Sequence, residues 1–264
     1  MAKETKLIPL LGYPLGHTIS PRIQNVAYGA RGIDAHYFPL EVRQEAELGQ
    51  VVSFLRGANS PGFAITAPYK VAIIDHLDEL DDTAQVAGAV NTAVNCDGKL
   101  IGYNTDGVGF CKALDDEGVN LTEKRVFCLG AGGAARAILF ALAAKGVRDI
   151  VIASRSDSAA QLAGNLCARF GDVARAGTVE DAKRADALLN FAGVGMEPRV
   201  EETWIDKKDL SSHPFCFDAA YAPEQTRFLR EGAEAGCKTM NGLGMLIHQG
   251  MAQIDLWFGK REEW

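Results

Sequence analysis

Apolar positions along the chain follow two alternating rhythms. Short dense runs such as "KLIPLLG" (6–12), "DAHYFPLEV" (34–42) and "GFAITAP" (62–68) have the length and composition of sheet strands. Between them, "SPRIQNVAYGARG" (20–32) and "EAELGQVVSFLRG" (45–57) repeat their apolar residues at helical spacing. The first of these helices has Ser20 as its expected N-cap, Pro21 at the first helical position and Gly32 as its stop. "VAIIDHLDEL" (71–80) also reads as helical, and "AVNTAVNCDGKLIGYN" (89–104) as two strands turned at Asp97-Gly98.

From about residue 124 the alternation becomes regular. Strands are expected at "RVFCLG" (125–130), "DIVIAS" (149–154), "DALLNFAG" (186–193) and "FCFDAAY" (215–221), and helices at "AARAILFALAAKG" (134–146) and "SAAQLAGNLCARF" (158–170). Strands alternating with helices of this length build βαβ units and a parallel sheet. The closing segment "GMLIHQGMAQIDLWFG" (244–259) puts Ile247, Met251, Ile254 and Phe258 on one helical face. The pattern changes near residues 104–110 without a proline-rich linker, so two α/β domains are expected.

Composition narrows the function class. The 264 residues are 47% hydrophobic, enough for a sizeable core, and the net charge of −7 argues against a general nucleic-acid or anionic-membrane surface. Six scattered cysteines without C-x-x-C or zinc spacing read as buried reduced thiols, and no metal site is expected. The apolar start is short and carries two prolines, so neither a signal peptide nor a membrane span is expected. A cytoplasmic protein is the resulting expectation.

"RVFCLGAGGAARA" supplies Gly130, Gly132 and Ala135 in the dinucleotide-binding G-x-G-x-x-G/A pattern. Gly130 permits the tight turn, Gly132 the approach of backbone to a pyrophosphate, and Ala135 close packing of helix on sheet. The intervening Ala131, Gly133 and Ala134 complete the loop and the helix N-terminus, whose free N–H groups favour phosphate. At the tip of the next strand an NAD enzyme carries Asp or Glu for the ribose 2′-OH. Here the chain reads Ser154, Arg155, Ser156, which suits a 2′-phosphate; Asp157 beside them would weaken that preference. NADP is the expected cofactor, with NAD as the weaker alternative.

A hydride-transfer site needs a group that exchanges a proton with the alcohol oxygen. Lys70, after a strand end, and Asp106, in "GYNTDGVG", are the candidates. Taken singly, Lys70 also reads as a surface charge and Asp106 as a turn former. In "GHTISP", Thr18 and Ser20 read equally as helix-capping hydroxyls or as ligands for a small anion, while His17 reads as structural.

The chain resembles the shikimate dehydrogenase family over essentially its whole length. The resemblance is carried in order by "GYPLGHTISP" (12–21), "GFAITAPYK" (62–70), "GAVNT" (88–92), "GYNTD" (102–106), "GAGGAAR" (130–136), "SRS" (154–156), "NFAGVG" (190–195), "YAPEQT" (221–226) and "GLGMLIHQ" (242–249). It implies that Lys70 and Asp106 form the catalytic pair, and that Thr18, Ser20, Thr66, Asn91, Tyr221 and Gln249 line the site of a cyclic hydroxy-acid. It adds Asn190, Gly242 and Met245 to the cofactor-binding residues. The implied reaction is reversible hydride transfer between NADP(H) and a ring alcohol, as in shikimate and 3-dehydroshikimate. The implied architecture is a substrate-binding domain with a mostly parallel sheet over 1–106, a Rossmann-type NADP-binding domain over 107–241, and a C-terminal helix within 242–264 that returns to the first domain. The partner is the small-molecule acid, and the chain is a monomer or homodimer.

The sequence departs from the family's motifs in several places. Thr18 stands for the first serine of the loop, Ala64 for an asparagine, Ala67 for a larger aliphatic and Ala192 for the strand-end threonine, and S-R-S replaces N-R-T. Thr18 and Ala64 could make room for quinate or a related ring acid. A non-catalytic metabolite- or NADP-binding regulator on the same fold is the alternative from another class, against which Lys70, Asp106, Asn91 and Gln249 together weigh. A folate-pathway dehydrogenase/cyclohydrolase shares the architecture, but its motifs fit poorly around Lys70 and Tyr221.

Overall fold

A computed structural model describes residues 4–58, 60–210 and 214–259. The end of the expected C-terminal segment, 260–264, lies outside them, as do residues 1–3. In chain order the first elements are β1 (Lys6–Gly12), α1 (Ser20–Arg31), β2 (Ala35–Glu41), α2 (Leu48–Gly57), β3 (Gly62–Ile65), β4 (Glu79–Leu80) and α3 (Asp82–Ala87). Then come β5 (Thr92–Cys96), β6 (Lys99–Tyr103), α4 (Asp106–Asp116), β7 (Arg125–Leu129), α5 (Gly133–Ala144), β8 (Asp149–Ala153), α6 (Ser158–Phe170) and β9 (Ala174–Ala176). The chain closes with β10 (Ala187–Asn190), β11 (Phe215–Asp218), α7 (Arg227–Glu234), β12 (Lys238–Asn241) and α8 (Leu243–Phe258). Among the described residues no helix is long and apolar enough to cross a membrane.

The chain divides into two compact units. One runs to Gly109 and is completed by the chain from Leu246 onward; the other is Phe110–Met245. The first holds a six-stranded sheet in the order β2-β1-β3-β5-β6-β4. Its β1–β2, β1–β3 and β4–β6 pairs are parallel, and β3–β5 and β5–β6 antiparallel. Alternation along the strands divides the core between the two faces. Ile8, Leu10 and Ala64 pack with Tyr28 of α1 and with Ile254 and Trp257 of α8. Leu11, Phe63 and Ile65 face the other way, against Val52 and Leu55 of α2. Asp97 (φ 53°) and Gly98 (φ 90°) turn the β5–β6 hairpin as the dipeptide predicts.

The second unit is a wholly parallel sheet, β12-β11-β10-β7-β8-β9. This is the doubly wound order, with its switch point between β7 and β10. Ala135, Ile138, Leu139 and Leu142 bury the inner face of α5.

Several expectations are corrected. Residues 71–80 do not form a helix: a single 3-10 turn, Ala72–His76, gives way to β4. The Asp78 N–H donates to the Leu100 carbonyl and its carboxylate accepts the Leu100 N–H, so pairing with β6 overrides the helical spacing. The N-cap of α1 is Ile19, with no side-chain cap bond from Ser20; Ser20 instead donates its N–H to Thr18 Oγ1 at 3.3 Å. Ile247 is 38% exposed and leaves the expected apolar face of α8, whereas Ile254 is fully buried. Cys96 is exposed and Cys167 half-buried; only Cys111, Cys128, Cys216 and Cys237 are buried thiols.

Candidate active site

In the first unit the chemistry gathers at one edge of the sheet. β1 and β3 are parallel neighbours, so the loops that follow them leave the same edge. β5 runs antiparallel to β3 and to β6, which brings its start, and the end of β6, to that edge as well. Hydrogen bonds tie these four ends together. Ile65 N–H donates to the Asn91 carbonyl (2.8 Å), Thr66 N–H to Leu11 (2.8 Å), Tyr13 N–H to Ala67 (3.2 Å) and Asn91 N–H to Tyr103 (3.1 Å).

Lys70 is placed by its own backbone, whose carbonyl accepts the Val90 N–H at 2.7 Å. Its ammonium lies 2.5 Å from Asp106 Oδ2. Asp106 is buried, while the Lys70 side chain keeps 19% of its surface exposed. An ammonium has three protons, and Asp106 takes one. Asp106 Oδ1 accepts the Asn91 side-chain amide at 2.9 Å, and the Asp106 N–H donates to Asn104 Oδ1 at 3.0 Å. Asn91 Nδ2 also reaches Thr105 Oγ1 (2.9 Å) and Gln249 Oε1 (3.3 Å). Gln249 approaches this closely because Gly109 has no side chain: a Cβ there would lie 2.6 Å from the Gln249 backbone nitrogen. The arrangement fixes a buried carboxylate and leaves a partly buried ammonium with protons to offer.

Thr18 and Thr66, on loops, and Ser20, the first residue of α1, are half-buried at the same edge. Thr66 Cγ2 lies 2.5 Å from where a Gly12 Cβ would stand, so any side chain at Gly12 would push Thr66 from its place. Leu15 N–H donates to Glu41 Oε1 at 2.9 Å and anchors the loop that carries Thr18. His17 is exposed. Ala64 does not open the site, because it is buried in the apolar cluster with Leu10, Leu15 and Tyr28. Thr105, Asn104, Thr92 and Gln253 belong to this network, and the sequence motifs alone do not single them out.

In the second unit the nucleotide-type loop leaves β7 at the switch point. Gly130 has φ 108°, and a Cβ there would lie 3.0 Å from the Phe191 carbonyl carbon, beside β10. Gly132 caps α5 in extended conformation, and nothing lies within 4 Å of the position its Cβ would take. That open cradle, at the N–H end of a twelve-residue helix, fits a pyrophosphate. Ala131 and Ala135 are buried behind it, while Gly133 and Ala134 are half-buried. Ser154, Ser156 and Ser158 share their hydroxyls, at 3.1 Å for Ser154–Ser158 and 2.9 Å for Ser156–Ser158. Arg155 is exposed beside them and makes no hydrogen bond or ion pair among the described residues, so its guanidinium can take a phosphate.

Asn190 is placed differently from a ligand contact. It is fully buried; its amide donates to Asp218 Oδ2 (2.9 Å) and the Val194 carbonyl (3.1 Å), and its Oδ1 accepts the Ala192 N–H (3.1 Å). Its side chain therefore shapes the 192–194 loop. Asp218 also accepts Thr226 Oγ1–H at 2.8 Å and the Ala220 N–H at 3.0 Å. Burial holds the Asp218 carboxyl above the ordinary aspartate range, against these three donors. Tyr221 is half-buried on the loop after β11. Gly242 is buried where a Cβ would stand 2.1 Å from the Ala219 carbonyl oxygen, and Met245 is buried beyond it.

Known proteins resemble the chain along its length. Residues 10–93 match the shikimate dehydrogenase substrate binding domain and 242–261 the shikimate 5'-dehydrogenase C-terminal domain. A shikimate dehydrogenase (NADP(+)) of Bacillus cereus is 41% identical over 259 residues, covering 97% of this chain and 93% of the relative. A shikimate 5-dehydrogenase from Thermus thermophilus, solved in complex with NADP(H) and shikimate, superposes with a TM-score of 0.87 at 34% identity, over 98% of this chain and 95% of that one. The ligand-free 5-ketofructose reductase of a Gluconobacter species superposes with a TM-score of 0.86 at 31% identity, over 98% and 95%. The ordered motifs, the two sheets and the identity across nearly the full length agree: the chain belongs to the shikimate dehydrogenase family.

Proposed function

We propose that the protein is an NADP-dependent oxidoreductase that interconverts shikimate and 3-dehydroshikimate. The observation that carries this reading is the Lys70–Asp106 pair, held at the sheet edge with Asn91 and Gln249 beside it. When bound, the nicotinamide exchanges a hydride with the ring carbon that bears the oxygen. The chain's own residues handle the rest. As the neutral amine, Lys70 takes up the hydroxyl proton during oxidation and becomes the ammonium, and as the ammonium it gives that proton to the ketone oxygen during reduction. Asp106 holds Lys70 and fixes its direction. Thr66, Asn91 and Gln249 offer hydrogen-bonding groups to ring hydroxyls, and Thr18 and Ser20 offer hydroxyls to the carboxylate. Tyr221 serves as a further substrate contact.

The Gly130–Ala135 loop would hold the pyrophosphate through backbone N–H groups, and Arg155 with Ser154 and Ser156 the 2′-phosphate. Gly242 and Met245 would flank the nicotinamide end, with NAD as the weaker cofactor. The protein works as a monomer or homodimer in the cytoplasm.

A second reading keeps the proton chemistry and changes the substrate to quinate or another polyhydroxy compound. Thr18 favours it, since its methyl group alters the carboxylate subsite, and so does the likeness to a 5-ketofructose reductase. Steady-state oxidation of shikimate and of quinate, each with NADP and NAD, separates the two. Fast turnover of shikimate with NADP is expected; turnover of quinate alone moves the assignment to the second reading.

A further inference from the structure

Behind the Lys70–Asp106 pair a run of buried amides and hydroxyls extends from Asn91 and Gln249 to residues that the proposed reaction does not touch, Thr92, Gln253 and Gln24. Helix α8 sends three side chains, four residues apart and therefore on one face, to three successive residues at the start of β5. Gln249 Oε1 accepts from Asn91 at 3.3 Å. Gln253 Nε2 donates to the Asn91 carbonyl (3.1 Å) and to Thr92 Oγ1 (2.9 Å). Trp257 Nε1 donates to the Ala93 carbonyl (3.0 Å). From α1, Gln24 Nε2 donates to Gln253 Oε1 at 3.0 Å and to the Gly250 carbonyl at 3.2 Å. Gln24, Thr92 and Gln253 are all buried.

The protons in this run point one way. Gln24 occupies the oxygen of Gln253, so Gln253 turns its N–H side to Thr92. Thr92 Oγ1 accepts there, and its single proton is given to Asn91 Oδ1 at 2.7 Å. The Thr105 N–H, at 3.0 Å, lands on the same oxygen. Asn91 can then present only its N–H side to Asp106 Oδ1, at 2.9 Å. The reversed amide would set a carbonyl against a carboxylate. Asp106 keeps its other oxygen for Lys70. Apolar side chains would fill this volume without the cost of burying polar groups; from Gln253 to Asp106 each buried amide and hydroxyl has a partner, and only Gln24 Oε1, at the far end of the run, has none among the described residues, so the paired stretch specifies one arrangement.

We infer that Thr92 and Gln253 are positioning residues for the reaction: they hold the Asn91 amide in the one orientation that fixes Asp106 for Lys70. The inference rests on the reading of Lys70 and Asp106 as the proton-handling pair.

Thr92→Val keeps the shape and removes the proton, and Thr92→Ser keeps the proton. The expected result for Thr92→Val is a kcat about three- to thirtyfold lower, an unchanged KM for NADP, and a displaced limb in the pH profile of kcat/KM. Thr92→Ser is expected to recover most of the loss. A Thr92→Val enzyme with wild-type kcat and pH profile overturns the inference, and so does a serine variant as impaired as the valine one. Lys70→Ala, measured alongside, separates the two levels. If it retains turnover within tenfold of wild type, the underlying reading fails; if it collapses while Thr92→Val does not, only the positioning role fails.

If Thr92→Val does not fold, Gln253→Glu replaces it. The carboxylate keeps the acceptor for Gln24 and loses the donor, so its activity relative to wild type should rise as pH falls and the carboxyl gains a proton; a flat ratio contradicts the inference. The side-chain amide NMR resonances of Asn91 report the same orientation without turnover. They should move in Thr92→Val and stay in Thr92→Ser, and unmoved resonances in the valine variant are contrary.

Discussion

The two units prepare their sites in opposite ways. In the first, the side chains that hold Asp106 are already paired: Asn91, Thr105, Asn104 and Gln249 bond to one another, to Asp106 or to the backbone, and Lys70 is held by Asp106 with protons left to offer. In the second, the backbone cradle and the cation suited to phosphate are left free, with open space at Gly132 and an unpartnered Arg155 guanidinium among the described residues, while the neighbouring serine hydroxyls bond to one another. The difference follows from the chemistry each must do. A proton moves efficiently only between groups held at hydrogen-bond distance, so the acid–base pair gains when its members are already in place. A phosphate brings its own charge and acceptors, and needs only free N–H groups and a cation that can reach it.

Breaking the committed side should cost most. Lys70→Ala is expected to lower kcat by about 10²–10⁴, because among the described residues Lys70 is the one cation paired with Asp106; steady-state rates with the proposed acid substrate check this. Removing the free cation should cost less. Arg155→Ala should raise KM for NADP about ten- to a hundredfold while KM for NAD changes little, which sharpens the comparison by showing that the 2′-phosphate is read by that one side chain. Equal effects on both cofactors would place that recognition elsewhere.

The second unit also has a committed network, away from its open cradle, and the smallest effect is expected there. Asp218 accepts from Asn190, Thr226 and Ala220, with no cation in ion-pair contact among the described residues. Asp218→Asn puts a donor against those donors and should destabilise the fold by about 1–3 kcal/mol in denaturant unfolding. The pH dependence has a definite sign. Burial raises the folded-state pKa, so the folded chain holds this proton more tightly than the unfolded chain. The stability it contributes is fully present below the unfolded value of about 3.9 and declines as pH rises through the raised folded value. The difference between wild type and variant should narrow upward from about pH 4.

The sequence makes some of these features plain and hides others for physical reasons. The glycine loop is legible because phosphate binding by backbone demands small residues at fixed spacing, and the Asp97-Gly98 hairpin because its turn needs positive φ. The segment 71–80 misleads because its apolar spacing is helical, while the bonds from Asp78 to Leu100 that decide its fate come from a strand twenty-odd residues away. Thr92 and Thr105 stand next to Asn91 and Asp106, but a hydroxyl's partner cannot be read from its neighbours in the chain. Gln253 left one signal: it lies four residues after Gln249, on the same face of a mostly apolar helix. Ala64 invited a reading as space for substrate, and only its packing against Leu10, Leu15 and Tyr28 shows that it belongs to the core.

The most direct test of the division between a committed proton site and an open phosphate site is NADPH binding by the Lys70→Ala variant, followed by fluorescence titration with turnover measured on the same sample. The predicted result is a dissociation constant equal to that of wild type with turnover reduced at least a hundredfold. Turnover within tenfold of wild type, or NADPH affinity that falls in step with turnover, would contradict the account.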